Sequence, residues 1–562
     1  MRIIQIISGI LIALSIPFLI HSIFKRRKRI REELLDVPPT LLVAAAGLLS
    51  WGLFVTPKDF SGRGEFGVWL MGQANLYTPM ELLTNLQAPL YMWGVRFFSF
   101  VFDGISFVFV ANVTTVLFIL GGVLIFFVAK NFLNSRRAGY IASFLYLFNP
   151  MIYFYSLTEE YVLVAIFFFI LALFFASLYL KTEDEFFMLP AILSALLSAG
   201  SRFEYIFVLY FIILFYLLFA SRNNFKSYIK KAALLFLIAL PRTIVTAQSY
   251  LFNSAQQDVG LFEELHSYDG SLLPYLWGIF VDNYFSMLEN LHTVRNLFYF
   301  SDLTGIVLVG GILSVIIFAF KKEPNQRKKT VFFFLFQMIS IMIFYNFFDQ
   351  VDGIMGYRYG IVIIMIATIL SAATLDIFTK IAKPISSLFI LGFVFSSIFM
   401  FILPLGFENY EQIVDPGLRG YVRDASDYTF DEYQKYDNLT YDNRLNRLLG
   451  DDEFIIDTKP GNTYFISNAD RTLLHVMPVH GRFLAVWEKE ELKRHYDNIP
   501  EDAKIYVSQS EMGFVSEQPD GYDDLPTPDQ FQELVKDNFE IEREIISYEK
   551  DGYPFFLYEV SK

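Results

Sequence analysis

The sequence contains no cysteine, so neither disulfides nor thiol chemistry enters any reading of it. Charge is scarce: 18% of the 562 residues are Asp, Glu, Lys or Arg, and their balance is −13. With that balance no nucleic-acid partner is expected. Histidine is scarcer still, with 6 in the whole chain. What fills the space is apolar: 54% of residues are hydrophobic, with 63 Phe and 33 Tyr. Soluble globular chains rarely combine so much Phe with so little charge. Many stretches of roughly 18 or more mostly apolar residues can each span about 30 Å of hydrocarbon. The class follows: an α-helical, multi-pass membrane protein.

The net charge hides a split. From Phe407 onward 34 acidic residues face 16 basic ones, a net of −18, while the preceding part holds 24 and 29, a net of +5. The compositional boundary separates a membrane domain, 1–406, from an acidic soluble domain, 407–562. In the latter, "EFIID", "TLLHVM", "KIYVSQ" and "FFLYEV" read as strands, and "VWEKEELKRHYDNI" reads as a helix with Glu490 and Arg494 at i,i+4. A small α/β domain is expected there. It has no G-x-G-x-x-G, no P-loop and no metal-spaced cluster, and His475, His480 and His495 read as ordinary polar positions. "NLT" at Asn438 is a glycosylation-type tripeptide.

Apolar runs place about twelve membrane helices near 3–23, 38–56, 107–128, 139–156, 160–180, 186–200, 204–220, 232–251, 303–320, 330–348, 357–378 and 384–405. The first is too long for a signal-peptide core and lacks a small-residue cleavage site, so it reads as a retained anchor. Lys and Arg in short loops set orientation. "FKRRKRIR", "KNFLNSRR", "SRNNFKSYIKK", "KKEPNQRKK" and "TKIAKP" all fall on one side if every run spans, and that side is assigned to the cytoplasm. The outer face then receives the loop 57–106, "LTEEY", "SRFEY", the loop 252–302, "FDQVDGIMGYRY" and the acidic domain. Within the first loop, Met80–Gly104 has aromatics at helical spacing and reads as one or two amphipathic helices in the outer interface, either as an anchor or as a lip for a lipid-borne substrate.

The order of parts resembles the GT-C superfamily of membrane glycosyltransferases, such as protein mannosyltransferases, aminoarabinose transferases and oligosaccharyltransferase subunits. The residues carrying the resemblance begin with Asp59 and Glu65 in the first outer loop, followed by "GQANLYTP" and "NLQAPLYMWGV". Glu159 and Glu160 fall in the second outer loop, where the metal-dependent branch keeps an acidic pair. The long loop 252–302 stands where relatives keep a lid over the donor lipid, and "GYRYGIVIIMIATILSAATLDI" matches an Arg-Tyr start of a late helix. The resemblance implies transfer of a sugar from a polyprenyl-phosphate donor, on the non-cytoplasmic face of the cell membrane. The first loop has no adjacent Asp-Glu pair, unlike the protein mannosyltransferases, and the tail has no W-W-D-Y-G, unlike oligosaccharyltransferase subunits. The acceptor therefore stays open among glycan, lipid and protein.

Such transfer needs a base for the acceptor hydroxyl and positive charge for the departing phosphate. Asp59, just past a helix end, is the first candidate for the base. Glu65 is the second, as base or as orienter of the acceptor. Both could instead be solvated loop charges paired with Lys58 and Arg63. Forked, permanently charged guanidinium groups suit the phosphate, and Arg242, Arg358 and Arg202 are the candidates. Arg242 is the oddest, because it follows Pro241 well inside an apolar run. The helix could also break at Pro241 and let Arg242 snorkel, and Arg202 could simply pair with Glu204 on the surface. Glu159 and Glu160 could touch acceptor or donor, hold a divalent ion with Asp59, or cap the following helix. His266 and His292 could reach the donor from the long loop. No cofactor is otherwise implied. The competing class is a transporter or lipid flippase with an external binding domain, which would show internal repeats and paired broken helices. No repeat is seen. A scaffold that kept the fold without the chemistry is a third reading.

Overall fold

A computed structural model describes residues 2–56, 79–84, 88–101, 107–157, 161–219, 225–257, 302–320, 325–347, 354–403, 463–467, 482–485, 499, 501–509, 528–550 and 553–562. The chain divides into two compact units. The first comprises Met1–Pro57, Leu83–Leu90 and Asn112–Asp427; the second comprises Lys58–Leu82, Tyr91–Ala111 and Tyr428–Lys562.

The helical part runs α1 (Arg2–Lys25), α2 (Arg27–Leu34), α3 (Pro39–Ser50), α4 (Pro79–Thr84), α5 (Pro89–Val101), α6 (Phe107–Leu133), α7 (Arg136–Leu147) and α8 (Pro150–Ser156). It continues with α9 (Val162–Thr182), α10 (Met188–Ser201), α11 (Ile206–Phe219), α12 (Phe225–Gln257), α13 (Asp302–Phe320), α14 (Asn325–Phe347), α15 (Ile354–Ile381) and α16 (Lys383–Ser397). Among the described residues four helices are long and apolar enough to cross a membrane: Arg2–Lys25, Phe109–Leu133, Val162–Thr182 and Gly360–Lys380. A fifth span forms if Arg27–Leu34 and Pro39–Val55, which meet at 91°, are taken together. Glu185–Ser201, Phe203–Phe219, Leu303–Phe318 and Ser386–Ile402 are apolar but shorter. The twelve expected spans are thus not all met by that measure, and the reasons are local. The run 139–156 is interrupted at Asn149, whose side chain accepts from the backbone N–H groups of Met151 and Ile152 and starts α8 with Pro150 at its first position. In the run 232–251, α12 stays continuous through Pro241 and carries the charge of Arg242. The stretch 80–104 forms the two short helices α4 and α5.

The centre of the first unit is α15, buried on every side from Ile361 to Ala373, as an all-round apolar helix must be. Its few hydroxyls fold onto carbonyls: Thr368 donates to Met365 O at 2.7 Å, Ser371 to Val307 O at 2.5 Å and Thr374 to Gly310 O at 3.0 Å. One end of this unit is tied by ions. Glu33 takes Lys130 at 2.9 Å and also Lys181; Asp36 takes Lys130 at 2.5 Å and Arg136 at 3.4 Å. Asp184 takes Arg26 and Arg29 at 3.2 and 2.8 Å, and Glu185 pairs with Lys231. Arg327 reaches Asp376 at 2.5 Å, beside Ser135, whose Oγ donates to the same carboxylate at 2.8 Å. Arg137 donates to Thr379 at 3.2 Å. All five basic stretches of the orientation argument contribute to this end or lie beside its acids. Burial alone would push the Glu33 carboxyl up, but the ammonium groups of Lys181 and Lys130 together outweigh it and hold it below the usual carboxylate range.

In the second unit the described part of the tail is a mixed sheet of order β2-β1-β3-β5-β4, with β1 (Thr463–Ser467), β2 (Arg482–Ala485), β3 (Lys504–Gln509), β4 (Glu540–Lys550) and β5 (Tyr553–Ser561). β1 pairs parallel with β2 and β3; β5 pairs antiparallel with β3 and β4. The helix α17 (Pro528–Asn538) places Phe531 and Val535 in a core with Ile466, Ile505, Val507, Phe556 and Val560. "KIYVSQ" and "FFLYEV" are strands, as expected. "EFIID" and "TLLHVM" lie outside the described residues, as do Ser467's nearest downstream histidines, His475 and His480, together with Asn438 and His495.

Candidate functional site

The end of the first unit opposite the ion pairs is where the expected outer loops begin. α3 closes in a π turn, Trp51–Val55, and α16 closes in another, Ile398–Ile402. The two are joined, because the Trp51 indole Nε1 donates to Ile402 O at 2.8 Å. Extra-residue turns of this kind bend the chain's exit and recur at functional sites. Thr56, the last described residue before the Asp59 loop, donates its hydroxyl to Trp51 O at 3.1 Å. Gly52 is needed in this turn for a close approach. A Cβ there would lie 2.9 Å from Thr115 Cγ2 and 3.6 Å from Leu157 Cδ2. Leu157 is the last described residue before Glu159 and Glu160, and it is held in place. Thr114 and Thr115 both donate to the neighbouring Ser156 O, at 3.1 and 2.7 Å. The two acidic outer stretches therefore start from adjacent points.

On the far side of the Glu159–Glu160 stretch stands Tyr161. Its ring lies 5.0 Å from the Arg202 guanidinium carbon, a cation–π contact. Arg202 precedes a single 3₁₀ turn, Phe203–Tyr205, that links α10 to α11. The spacing of two residues across this turn folds the arginine back on Glu204: Nε donates to Oε2 at 2.8 Å and Nη2 to Oε1 at 2.9 Å. The pair is not on the surface; the two side chains are 1% and 2% exposed. Arg242 joins them from α12. It is 1% exposed, and its Nε and Nη2 donate to Ala199 O at 3.0 and 2.7 Å. Ala199 lies in the last turn of α10, where carbonyls lack helical partners and the helix end is negative. Arg242 therefore caps α10 instead of snorkelling. Thr246, one turn on, donates to Phe203 O at 3.2 Å. Two guanidinium groups and one carboxylate are thus buried together beside Tyr161, the first described residue after Glu160.

Of the residues singled out from the sequence, the structure brings together Arg202 and Arg242. Asp59, Glu65, Glu159, Glu160, His266 and His292 lie outside the described residues. Arg358 lies in the first turns of α15, with its side chain likewise outside the description. Among the described residues no cluster of His, Asp or Glu suits a metal ion. Glu204 was expected as a partner of Arg202, though on the surface and not buried; Tyr161 and Ala199 were not foreseen as partners of the arginines. The R-x-E spacing in "SRFEY" carries the first of these; the other two depend on tertiary contact.

No protein-family model matches the chain, and no curated protein matches it in sequence. Among the solved structures similar to it are two of an oligosaccharyltransferase and one of ArnT. The archaeal oligosaccharyltransferase AglB from Archaeoglobus fulgidus, in complex with an inhibitory peptide and a dolichol-phosphate, is 13% identical, with a TM-score of 0.43 over 84% of this chain and 69% of that one. The apo form of the Archaeoglobus fulgidus oligosaccharyltransferase gives 13% and 0.45 over the same shares. ArnT from Cupriavidus metallidurans in the apo state gives 11% and 0.43, over 92% of this chain and 97% of that one. At scores of this size the likeness carries no argument about this chain's chemistry, which rests on its own residues.

Proposed function

We propose that the chain is a glycosyltransferase that moves a sugar from a polyprenyl-phosphate-linked donor to a glycan, lipid or protein acceptor on the outer face of the membrane. The observation that supports this reading is the convergence at one end of the bundle. The starts of the Asp59 and Glu159–Glu160 stretches adjoin there, beside the buried Arg202–Glu204–Arg242 cluster. In the proposed step the Asp59 carboxylate takes the proton of the acceptor hydroxyl as its oxygen attacks the anomeric carbon. The bond from that carbon to the phosphate oxygen breaks, and the polyprenyl phosphate leaves with the negative charge. Arg202 and Arg242 exceed Glu204 by one positive charge, so the buried cluster favours an anion at the outer end without offering it every N–H. Arg358 is left as the guanidinium for direct contact. Glu65 orients the acceptor, and Glu159, Glu160, His266 and His292 are the candidates for further contacts to acceptor or donor. Under this reading the tail, 407–562, is extracytoplasmic. A transporter would use Arg242 as a moving intramembrane charge, whereas here it holds a fixed helix end.

The test is incubation of the purified protein, in vesicles, with a polyprenyl-phosphate sugar. Free polyprenyl phosphate is the expected product, and a transporter or flippase would release none. Asp59→Asn keeps the shape and removes the basic lone pair, so transfer should fall by roughly 10²–10⁴-fold with donor binding little changed. Activity within a few-fold of the parent, in folded variant that still binds donor, would remove Asp59 as the base. Loss of activity with chelator in the parent would instead assign the outer carboxylates to a divalent ion.

A further inference from the structure

At the ion-paired end of the first unit lies a cavity of about 370 Å³ that the proposed transfer does not use. It opens between the last turns of α11 and the first turns of α14. Its walls are Leu214, Leu218, Phe332 and Phe336, and its mouth carries Lys328 and Lys329. Leu218, Phe332 and Phe336 are 43, 45 and 52% exposed, so the apolar wall is open to whatever surrounds the bundle. Among the described residues no carboxylate lines the cavity. Three consecutive basic residues on α14 are treated differently by the fold. Arg327 turns inward onto Asp376, while Lys328 and Lys329 form no ion pair among the described residues. Lys329 Nζ stands at the rim, 3.4 Å from Leu218 O. α14 begins at Asn325, so the positive end of the helix adds to the two lysines.

We propose that this cavity binds one anionic glycerophospholipid, with its phosphate on Lys328 and Lys329 and an acyl chain along Leu214, Leu218, Phe332 and Phe336. A soluble anion would leave four apolar side chains facing water, and a zwitterionic lipid would leave the two ammonium charges uncompensated. An amphiphile with a negative head satisfies both parts. Positive-inside loops place this end against the cytoplasmic leaflet, where anionic lipids are attracted by basic residues near the membrane surface. The inference stands independently of the transferase reading.

The absence of native cysteine makes the test direct. Full-length Leu218→Cys carrying a bimane label is placed in phosphatidylcholine vesicles doped with dibrominated phosphatidylglycerol or dibrominated phosphatidylcholine. Brominated phosphatidylglycerol should quench at a mole fraction lower by roughly 10- to 30-fold, the preference expected from two lysines beside a headgroup. Lys328→Gln with Lys329→Gln should erase the preference, and Lys328→Arg with Lys329→Arg should keep it. Equal quenching by the two lipids, or a preference that survives the Gln pair, would overturn the site. So would recovery of fluorescence on adding inorganic phosphate, which marks a free-anion site. Displacement by polyprenyl phosphate but not by phosphatidylglycerol would give the groove to the donor instead.

Discussion

Glu204 is the residue on which the buried cluster turns. It accepts both forks of Arg202 at 2.8 and 2.9 Å and faces Arg242 as well. Glu204→Gln keeps its shape but leaves two guanidinium groups uncompensated in a low-dielectric setting, and removing one partner of a buried pair costs about 3–5 kcal/mol. Thermal unfolding in detergent should register that loss. Replacing both members, Arg202→Leu with Glu204→Leu, should restore most of the stability, because an apolar pair of similar volume needs no counter-charge. The double variant then separates two roles. Donor binding that recovers along with stability would make the cluster purely structural; donor binding that stays low would tie its charge to the phosphate. The sequence exposes both arginines as oddities, since charge in an apolar run must be explained. It does not expose the Ala199 carbonyl that Arg242 caps, because residues 43 positions apart meet only through the packing of α10 against α12.

At the level of elements, the charged connections behave as parts of the fold. Glu33 sits in α2 with Lys130 from α6 and Lys181 from α9, and the net effect holds its carboxyl below the ordinary value. A depressed carboxylate contributes stability that is complete above its unfolded pKa and is lost as pH falls through the folded one. Stability in detergent should therefore drop as pH falls below about 4.3, the ordinary Glu value. Glu33→Gln should be less stable at neutral pH by about 3 kcal/mol and should show a shallower acid dependence. Asp36, shifted the same way by its hydrogen bond to Lys130, keeps some slope in the variant. Element boundaries were legible for β3 and β5, which follow their β-branched and aromatic runs. The break at Asn149-Pro150 was not, because the apolar run continues through it from 139 to 156. β4 was missed because "EIEREIISYEK" is an edge strand whose charges defend it against further pairing, and its composition reads as helix. α17, with Asp529 in its first turn and Lys536 in its last, carries ordinary helix signals that went unread beside the stronger "VWEKEELKRHYDNI".

Across the whole molecule, the sequence makes the membrane class plain through Phe content and run length, and it divides charge between two ends. The two π turns leave no such trace, since an extra residue in a helix has no composition of its own. Sidedness is open to labelling with single thiols. Ser61→Cys in the first outer loop and Glu501→Cys in the tail should react with a membrane-impermeant maleimide in intact cells, and Asn325→Cys should not. Asn325 is exposed at the start of α14. The reverse pattern would overturn the outer placement of the site. The uneven fastening of the first unit has a mechanical side. At one end α1, α2, α6, α7, α9, α12, α14 and α15 or their flanking residues are cross-linked by charge; at the other, helices lead into loops. A 21-residue helix such as α9 is about 32 Å long. Pivoting by about 3° at the fastened end, it would carry its other end about 1.7 Å, a little more than the length of a carbon–carbon bond. The bundle is built like a pair of tongs gripped at the handle, in which a small change of angle at the ion pairs becomes a change of aperture where the acidic loops begin.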